Sequence, residues 1–163
     1  MARSRPYRLD DGSALVDLWR QTWIATYEGQ LGRPATDKML AQLRDQGCSA
    51  MISGNDETAL CAVCDGMIVG SAIFAERGGT AYLWGMYVHP AFQRQGIGES
   101  LLAAVSAACS GRRLEVQVLK TSLAALLFYR KAGFSDLGEV EADIMLSVKA
   151  QVVVMGRRLD SEV

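Results

Sequence analysis

The sequence predicts an α+β fold in which a mixed, mostly antiparallel central sheet is flanked by helices. Two kinds of segment alternate along its 163 residues. Some have apolar residues three and four apart, as in helices, and others are short and rich in β-branched and aromatic residues, as in strands. Hairpin signals occur together with strand–helix–strand successions, which indicates a mixed sheet. The predicted order is β-α-α-β-β-β-α-β-α-β-β.

The first third of the chain is predicted to hold a short strand and two helices. The strand is expected at 7–9. A helix is predicted from Ser13, where large apolar residues recur at helical spacing: Leu15, Leu18, Trp19 and Trp23. After a loop at 29–34, a second helix is predicted with Thr36 as its N-cap and with Met39, Leu40 and Leu43 on one face.

The middle of the chain begins with a hairpin. Asp65-Gly66 lies between two apolar runs, and this dipeptide is a strong turn signal. The first run contains Cys61 and Cys64, a spacing also used for zinc and redox chemistry. On a strand, positions three apart point to opposite faces, so we expect these thiols to diverge and to pack in the core.

A third strand is predicted at 81–88, and His89-Pro90 ends it because proline cannot donate to a ladder. A helix follows with an inward face of Ile97, Leu101, Leu102, Val105 and Cys109. Next come a strand at 114–119 and a helix at 122–132, with Gly133 at its C′ position. Strands near 134–141 and 144–155 complete the order, and the apolar stretch at 150–156 is a plausible place for two chains to meet as a homodimer.

Bulk properties restrict the class of protein. Seventeen basic and eighteen acidic residues give a net charge of −1, without the clustered positive surface that nucleic acids or anionic membranes require. The N-terminus lacks the apolar core of a signal peptide, and the longest weakly polar stretch, 101–109, is too short to span a bilayer. We therefore expect a single domain over 1–163 in the cytoplasm, with reduced cysteines and no metal, nucleic acid or membrane partner.

The stretch QRQGIGESL at 93–101 places two glycines before a helix that has no Ser, Thr, Asp or Asn as a cap. Gly96 and Gly98 either make a simple turn or open the helix start to an anion, since the first N–H groups of a helix lack partners. A P-loop is excluded because no Gly-Lys-Ser or Gly-Lys-Thr is present. A dinucleotide fingerprint is disfavoured because Leu101 stands where a small residue is needed.

Several of these motifs together resemble the GCN5-related N-acetyltransferases (GNAT family). YVHPAFQRQGIGESLL is similar to that family's Q/R-x-x-G-x-G/A signature, which Gln93, Gly96 and Gly98 match. VLKTSLAALLFYRKAGF is similar to its second hallmark, a strand and a helix ending in F/L-Y-x-K-x-G-F. The N-terminal LWRQTWIATYEG resembles the first helix of one bacterial branch.

The resemblance implies the GNAT acyl-CoA N-acyltransferase fold and direct transfer of an acetyl group from acetyl-CoA to a primary amine of a small molecule or peptide. It also implies a set of cofactor-binding positions: Met86 and Val88 for the pantetheine arm, Gln93, Arg94, Gln95, Gly96, Gly98 and Glu99 for the pyrophosphate, and Ser122 where the family often has asparagine. Tyr129 matches the family's general acid and also lies at the cofactor.

The general base and the acceptor are less defined. The family's strand glutamate is replaced by Gln117, and Glu115, on the same strand face, is the candidate base, acting directly or through water. Trp23, Tyr27 and Trp84 are candidates for the acceptor pocket, although helical spacing also places Trp23 in the core. Two rivals remain at this point: a non-catalytic acyl-CoA-binding or sensing domain, and a nucleotide-dependent oxidoreductase.

Overall fold

A computed structural model describes residues 2–145 and 148–159. Within these residues the chain forms seven strands and four α-helices, joined by short 3₁₀ turns. In chain order they are β1 (Arg3–Pro6), α1 (Gly12–Leu31), α2 (Arg33–Gln46), β2 (Thr58–Cys64), β3 (Met67–Arg77), β4 (Thr80–Val88), α3 (Ile97–Ala108), β5 (Arg113–Leu119), α4 (Leu123–Lys131), β6 (Ser135–Met145) and β7 (Val148–Arg158). The predicted order of elements is confirmed.

The seven strands form a single mixed sheet in the order β1-β2-β3-β4-β5-β7-β6. Among the described strands, only β4 and β5 pair in parallel, because α3 carries the chain back across the sheet between them. Every other described pair is antiparallel. The predicted fold class is therefore confirmed.

Helices cover both faces of the sheet and bury one apolar cluster on each. On one face α3 and α4 pack through Leu101, Val105 and Leu126. On the other, α1 and α2 pack through Trp19, Trp23 and Met39. β2 contributes alternately to both clusters, so Cys61 lies in the second while Cys64 packs against the first. The two thiols diverge, as predicted.

The N-terminal boundaries differ from the prediction. The first strand lies at 3–6 instead of 7–9, because Asp11 accepts a hydrogen bond from the Arg8 N–H at 2.7 Å and closes a 3₁₀ turn there. Thr36 is not an N-cap. α2 begins earlier, at Arg33 with Pro34 in its first turn, and the Thr36 hydroxyl donates to the Gly32 carbonyl at 2.9 Å from inside the helix.

The apolar stretch at 150–156, suggested above as a homodimer contact, lies in the final strand. β7 lies inside the sheet, hydrogen-bonded to β5 on one edge and to β6 on the other. Val152 and Met155, in its apolar stretch, are buried. Its apolarity is explained by its position between β5 and the edge strand β6, and it offers no free edge for a second chain.

A β-bulge interrupts β4 opposite β3. Ser71 pairs with Tyr87 and Ile73 with Trp84, so β4 has one residue more than its partner in this interval. Gly85 takes a left-handed φ of 59° there, and its carbonyl accepts a hydrogen bond from the buried Ser71 hydroxyl at 2.8 Å. The extra residue shifts the side-chain alternation, so Met86 faces the α3–α4 cluster and Tyr87 faces the α1–α2 cluster.

No helix in the described part of the chain combines the length and the apolarity needed to cross a membrane.

Candidate active site

A large cavity lies where β4 and β5 part. The two strands are paired from Thr80 and Arg113 as far as Leu83 and Val116, and no pair is formed beyond that point. The bulge at Gly85 lies in β4 just after its last pair with β5, and a bulge bends the strand that carries it. Between the separated strand ends is a cavity of about 1120 Å³, bordered by α1, α3 and α4.

Most of the predicted site residues line this cavity, and the structure brings together Trp23, Tyr27, Trp84, Met86, Val88, Gln93, Arg94, Gly96, Gly98, Glu99, Glu115, Ser122 and Tyr129. Gln95 is the exception, since it lies outside the lining. Gly85, Phe128 and Tyr87 also border the cavity and were not predicted.

One end of the cavity is formed by the glycine loop and the start of α3. Arg94 and Gly96 have left-handed φ values of 62° and 80°, and turns of this kind direct successive N–H groups into a concavity. No side chain caps α3, and its first backbone bond runs from Ser100 to Gly96. The N–H groups of residues 97–99 therefore have no acceptor among the described residues, at the positive end of the helix dipole. This donor set fits an anion such as a diphosphate.

Gln93 connects the loop to the separated end of β4. Its side-chain amide donates to the Val88 carbonyl at 3.2 Å. That carbonyl is one of the groups expected to bind a pantetheine arm, and the contact occupies one of its two lone pairs.

Ser122 stands at the N-cap position of α4, but its side chain makes no capping hydrogen bond. Its hydroxyl is therefore not used to cap the helix. Its backbone N–H bonds to the Leu119 carbonyl, while the residue itself lines the cavity.

Tyr129 lies on α4 and is 6% exposed. Its ring is fixed edge-on between Phe128 and Phe134, at centroid distances of 5.1 and 5.2 Å. Its hydroxyl makes only a weak contact, 3.9 Å, with the sulfur of Met86. Burial raises the pKa of Tyr129 well above its ordinary value, and nearby Tyr87 raises it further. The phenol therefore stays protonated at neutral pH, and its proton is not committed to a strong acceptor.

Glu115 lies on β5 at the part where the strands are still paired, opposite Tyr82 of β4. Its side chain is 22% exposed and 3.5 Å from Arg113. It points to the α1–α2 face, whereas Tyr129 belongs to the α3–α4 cluster. The two candidate catalytic residues therefore approach the cavity from opposite faces of the sheet.

The α1 side of the cavity is aromatic. Trp84 donates its indole N–H to the Met51 carbonyl at 3.1 Å, and the guanidinium of Arg77 lies 6.0 Å from its ring centroid. Tyr27 and Tyr87 share a hydrogen bond of 2.9 Å between their hydroxyls, and Trp23, fully buried, packs edge-on against Tyr87. Tyr87 was missed in the sequence because uninterrupted alternation would have pointed it to the other face; Gly85, a glycine inside a strand, was the available signal of a bulge.

Comparison with known proteins is consistent with this geometry. The sequence model of the family described as acetyltransferase (GNAT) domain matches residues 55–136, half of the chain. The chain belongs to the GNAT family. The matched segment of this GNAT protein runs from β2 through α4 and so contains the glycine loop and Tyr129. A search of curated proteins found no match.

Solved structures share the fold of this GNAT domain over nearly its whole length. A GCN5-related N-acetyltransferase from Rhodopseudomonas palustris has a TM-score of 0.79 at 19% identity, covering 97% of this chain and 96% of that one. PaiA N-acetyltransferase from Thermoplasma acidophilum, in complex with coenzyme A, has a TM-score of 0.72 at 19% identity, with 97% and 99% coverage. YncA from Salmonella typhimurium, with its cofactor acetyl-CoA, has a TM-score of 0.68 at 20% identity, with 100% and 96% coverage.

Proposed function

We propose that this protein transfers the acetyl group of acetyl-CoA directly to a primary amine of a small molecule or peptide. One observation carries the proposal: the strands part so that a single cavity runs from the open N-terminus of α3 to the uncommitted hydroxyl of Tyr129. Membership of an acetyltransferase family supports the reaction class. PaiA and YncA, similar in fold, are described with coenzyme A and acetyl-CoA, which supports the identity of the donor.

The residues present fit the two polar parts of coenzyme A. A diphosphate matches the free N–H groups of residues 97–99 and the charge of Arg94. The amide-containing pantetheine arm matches the edge of β4 at Met86 and Val88, which β5 does not pair there. Ser122 adds a hydroxyl that the helix cap leaves free.

Acetyl-CoA supplies an acyl carbon open to attack and a thiol as leaving group. The contribution of the chain is to hold an amine beside it and to manage protons. Tyr129 holds a proton on Oη in a buried position, and we assign it the role of general acid. An alkyl ammonium has a pKa near ~10.4 and must lose a proton first. Glu115 is the carboxylate proposed to receive it, directly or through water.

Two measurements test the function together. Thermal unfolding with acetyl-CoA, coenzyme A and NAD should show stabilisation by the coenzyme A species only, because a ligand that binds the native state raises its stability. Release of free thiol from acetyl-CoA should then depend on an added amine. Stabilisation without amine-dependent thiol release across a broad amine panel would favour the acyl-CoA sensing domain, and no stabilisation by millimolar coenzyme A would refute the proposal.

A further inference from the structure

The hydrogen-bonded pair of Tyr27 and Tyr87 is not used by the chemistry assigned above. Tyr27 comes from α1 and Tyr87 from β4 just after the bulge, and both line the cavity. Their hydroxyl oxygens are 2.9 Å apart, and their rings meet edge-on at a centroid distance of 6.4 Å. Burial raises the pKa of both phenols, so both stay neutral at pH 7.

The single hydrogen bond within this pair does not use both phenolic protons. One hydroxyl donates to the other, which leaves one phenolic proton with no acceptor among the described residues. Behind Tyr87, the fully buried indole N–H of Trp23 also has no acceptor in hydrogen-bonding geometry there. Burial raises the pKa of Tyr87, and the Trp23 N–H lies close enough to lower that pKa in part. The tyrosine pair is partly buried and lines the cavity, so its unused proton is available to an acceptor oxygen of a molecule bound there.

The charge of the same region shows which kind of oxygen fits. Among the described lining residues the cations are Arg77 and Arg94. Arg77 is held by Asp56 through two contacts of 2.8 and 3.0 Å, and Arg94 belongs to the glycine loop at the other end of the cavity. A carboxylate beside the tyrosines would thus be desolvated without a free cation, which is costly. A neutral carbonyl oxygen meets no such cost.

We propose that the unused hydroxyl of the Tyr27–Tyr87 pair donates a hydrogen bond to a carbonyl oxygen of the acceptor, which makes the acceptor an amine that carries an amide carbonyl, as at a peptide N-terminus or in an amino-acid amide. This inference rests on the proposed acetyl transfer and narrows its acceptor. Tyr27 and Tyr87 are then specificity-determining residues, while Tyr129 and Glu115 keep their roles.

The test compares two amines of the same shape in wild-type and variant proteins. One is alaninamide; the other is the branched alkylamine in which an isopropyl group replaces the carboxamide. The decisive variant is Tyr27→Phe/Tyr87→Phe, because either single substitution leaves one hydroxyl free to turn into the cavity. Replacing both partners of a hydrogen bond by apolar groups of the same shape is nearly neutral for stability. The variant should therefore fold, which thermal unfolding with and without coenzyme A checks.

We expect the double substitution to lower kcat/KM for alaninamide about tenfold more than for the alkylamine, as the loss of one hydrogen bond implies. Each amine is compared with itself across the variants, so their different basicities cancel. The control is Tyr82→Phe, which removes a more exposed hydroxyl from the same lining. This hydroxyl makes no hydrogen bond among the described residues. The control substitution should change kcat/KM for the two amines by the same factor. Wild-type protein should also prefer alaninamide to free alanine.

Equal losses on the two amines, or a preference for free alanine, would overturn the carbonyl contact while leaving the proposed acetyl transfer intact. If coenzyme A no longer stabilises the double variant in thermal unfolding, the substitutions have damaged the fold. The test is then the order of kcat/KM for alaninamide, the alkylamine and alanine in the wild-type protein: alaninamide must come first, or the carbonyl contact is overturned. No thiol release with any amine would overturn the proposed function and this inference with it.

Discussion

The substitution Gly85→Ala should destabilise the protein more than an ordinary glycine replacement. A Cβ at residue 85 would lie 2.7 Å from Cδ1 of Ile73 and 3.0 Å from Cε of Met51, on a backbone with φ of 59°. The left-handed φ costs an alanine ~1 kcal/mol. Because both contacted atoms are the ends of side chains, overpacking should add only about 1 kcal/mol, the low end of its usual range. We therefore expect a loss of about 2 kcal/mol, or about 6 °C in Tm for a chain of this size.

Gly78→Ala is the matched control. Gly78 has a similar φ of 61°, but a Cβ there would have no neighbour within 4 Å. It should cost only the backbone part, about 3 °C, and both substitutions restrict the unfolded chain equally. Thermal unfolding of the two variants in one buffer measures the difference. If Gly85→Ala melts within a degree or two of Gly78→Ala, the space around Gly85 is not tightly packed and the overpacking argument is wrong.

Three further predictions concern the site and the N-terminal turn. Tyr129→Phe should lower kcat by ~10²-fold, the usual effect of removing a general acid, while thermal shift shows coenzyme A still bound; turnover near that of wild type would remove Tyr129 from that role. Gly96→Ala places a side chain on a φ of 80°. We expect the free loop to relax away from this strained turn, so that coenzyme A must restore it at a cost of ~1 kcal/mol and binds about fivefold more weakly; an unchanged Kd in calorimetry would contradict this. The hydrogen bond from Arg5 lowers the pKa of Asp11 to about 2 from 3.8, so the stability it adds is complete above about pH 4 and is lost as the pH falls towards 2. Asp11→Asn should then cost about 1–2 kcal/mol at pH 7, after allowance for solvent screening of Arg5, and the gap in Tm from wild type should shrink by pH 3; a constant gap would show that the ion pair is not its source.

The parts of the fold that were predicted well are those with local signals. Asp65 and Gly66 both adopt positive φ, 50° and 77°, as a tight hairpin turn requires. Gly133 ends α4 with a φ of 92°, as its C′ position implied. The glycine loop and the FYRKAGF segment were identified from short motifs, and both border the same cavity.

The parts that were missed depend on residues far apart in the chain. The sequence of β7 reads as a buried strand, but nothing in it says which neighbours bury it, so its place between β5 and β6 could not be inferred. The partnership of Tyr27 with Tyr87 joins α1 to β4 and depends on one extra residue in the bulge. Thr36 is a residue type favoured at N-caps, but Pro34 is favoured in the first turn of a helix, and α2 begins before it at Arg33.

The position of β7 between β5 and β6 also determines how the cavity is held together. Residues 117–119 of β5 form one wall, and with β4 parted from them their described strand pairing is to β7 alone, through Val152, Val153 and Val154. That pairing closes a long loop that includes α4 and β6, so it is expected to form late in folding. Local opening of the β5–β7 pair would release the wall as one unit, and hydrogen exchange at residues 117–119 should follow that of β7 more closely than that of β4.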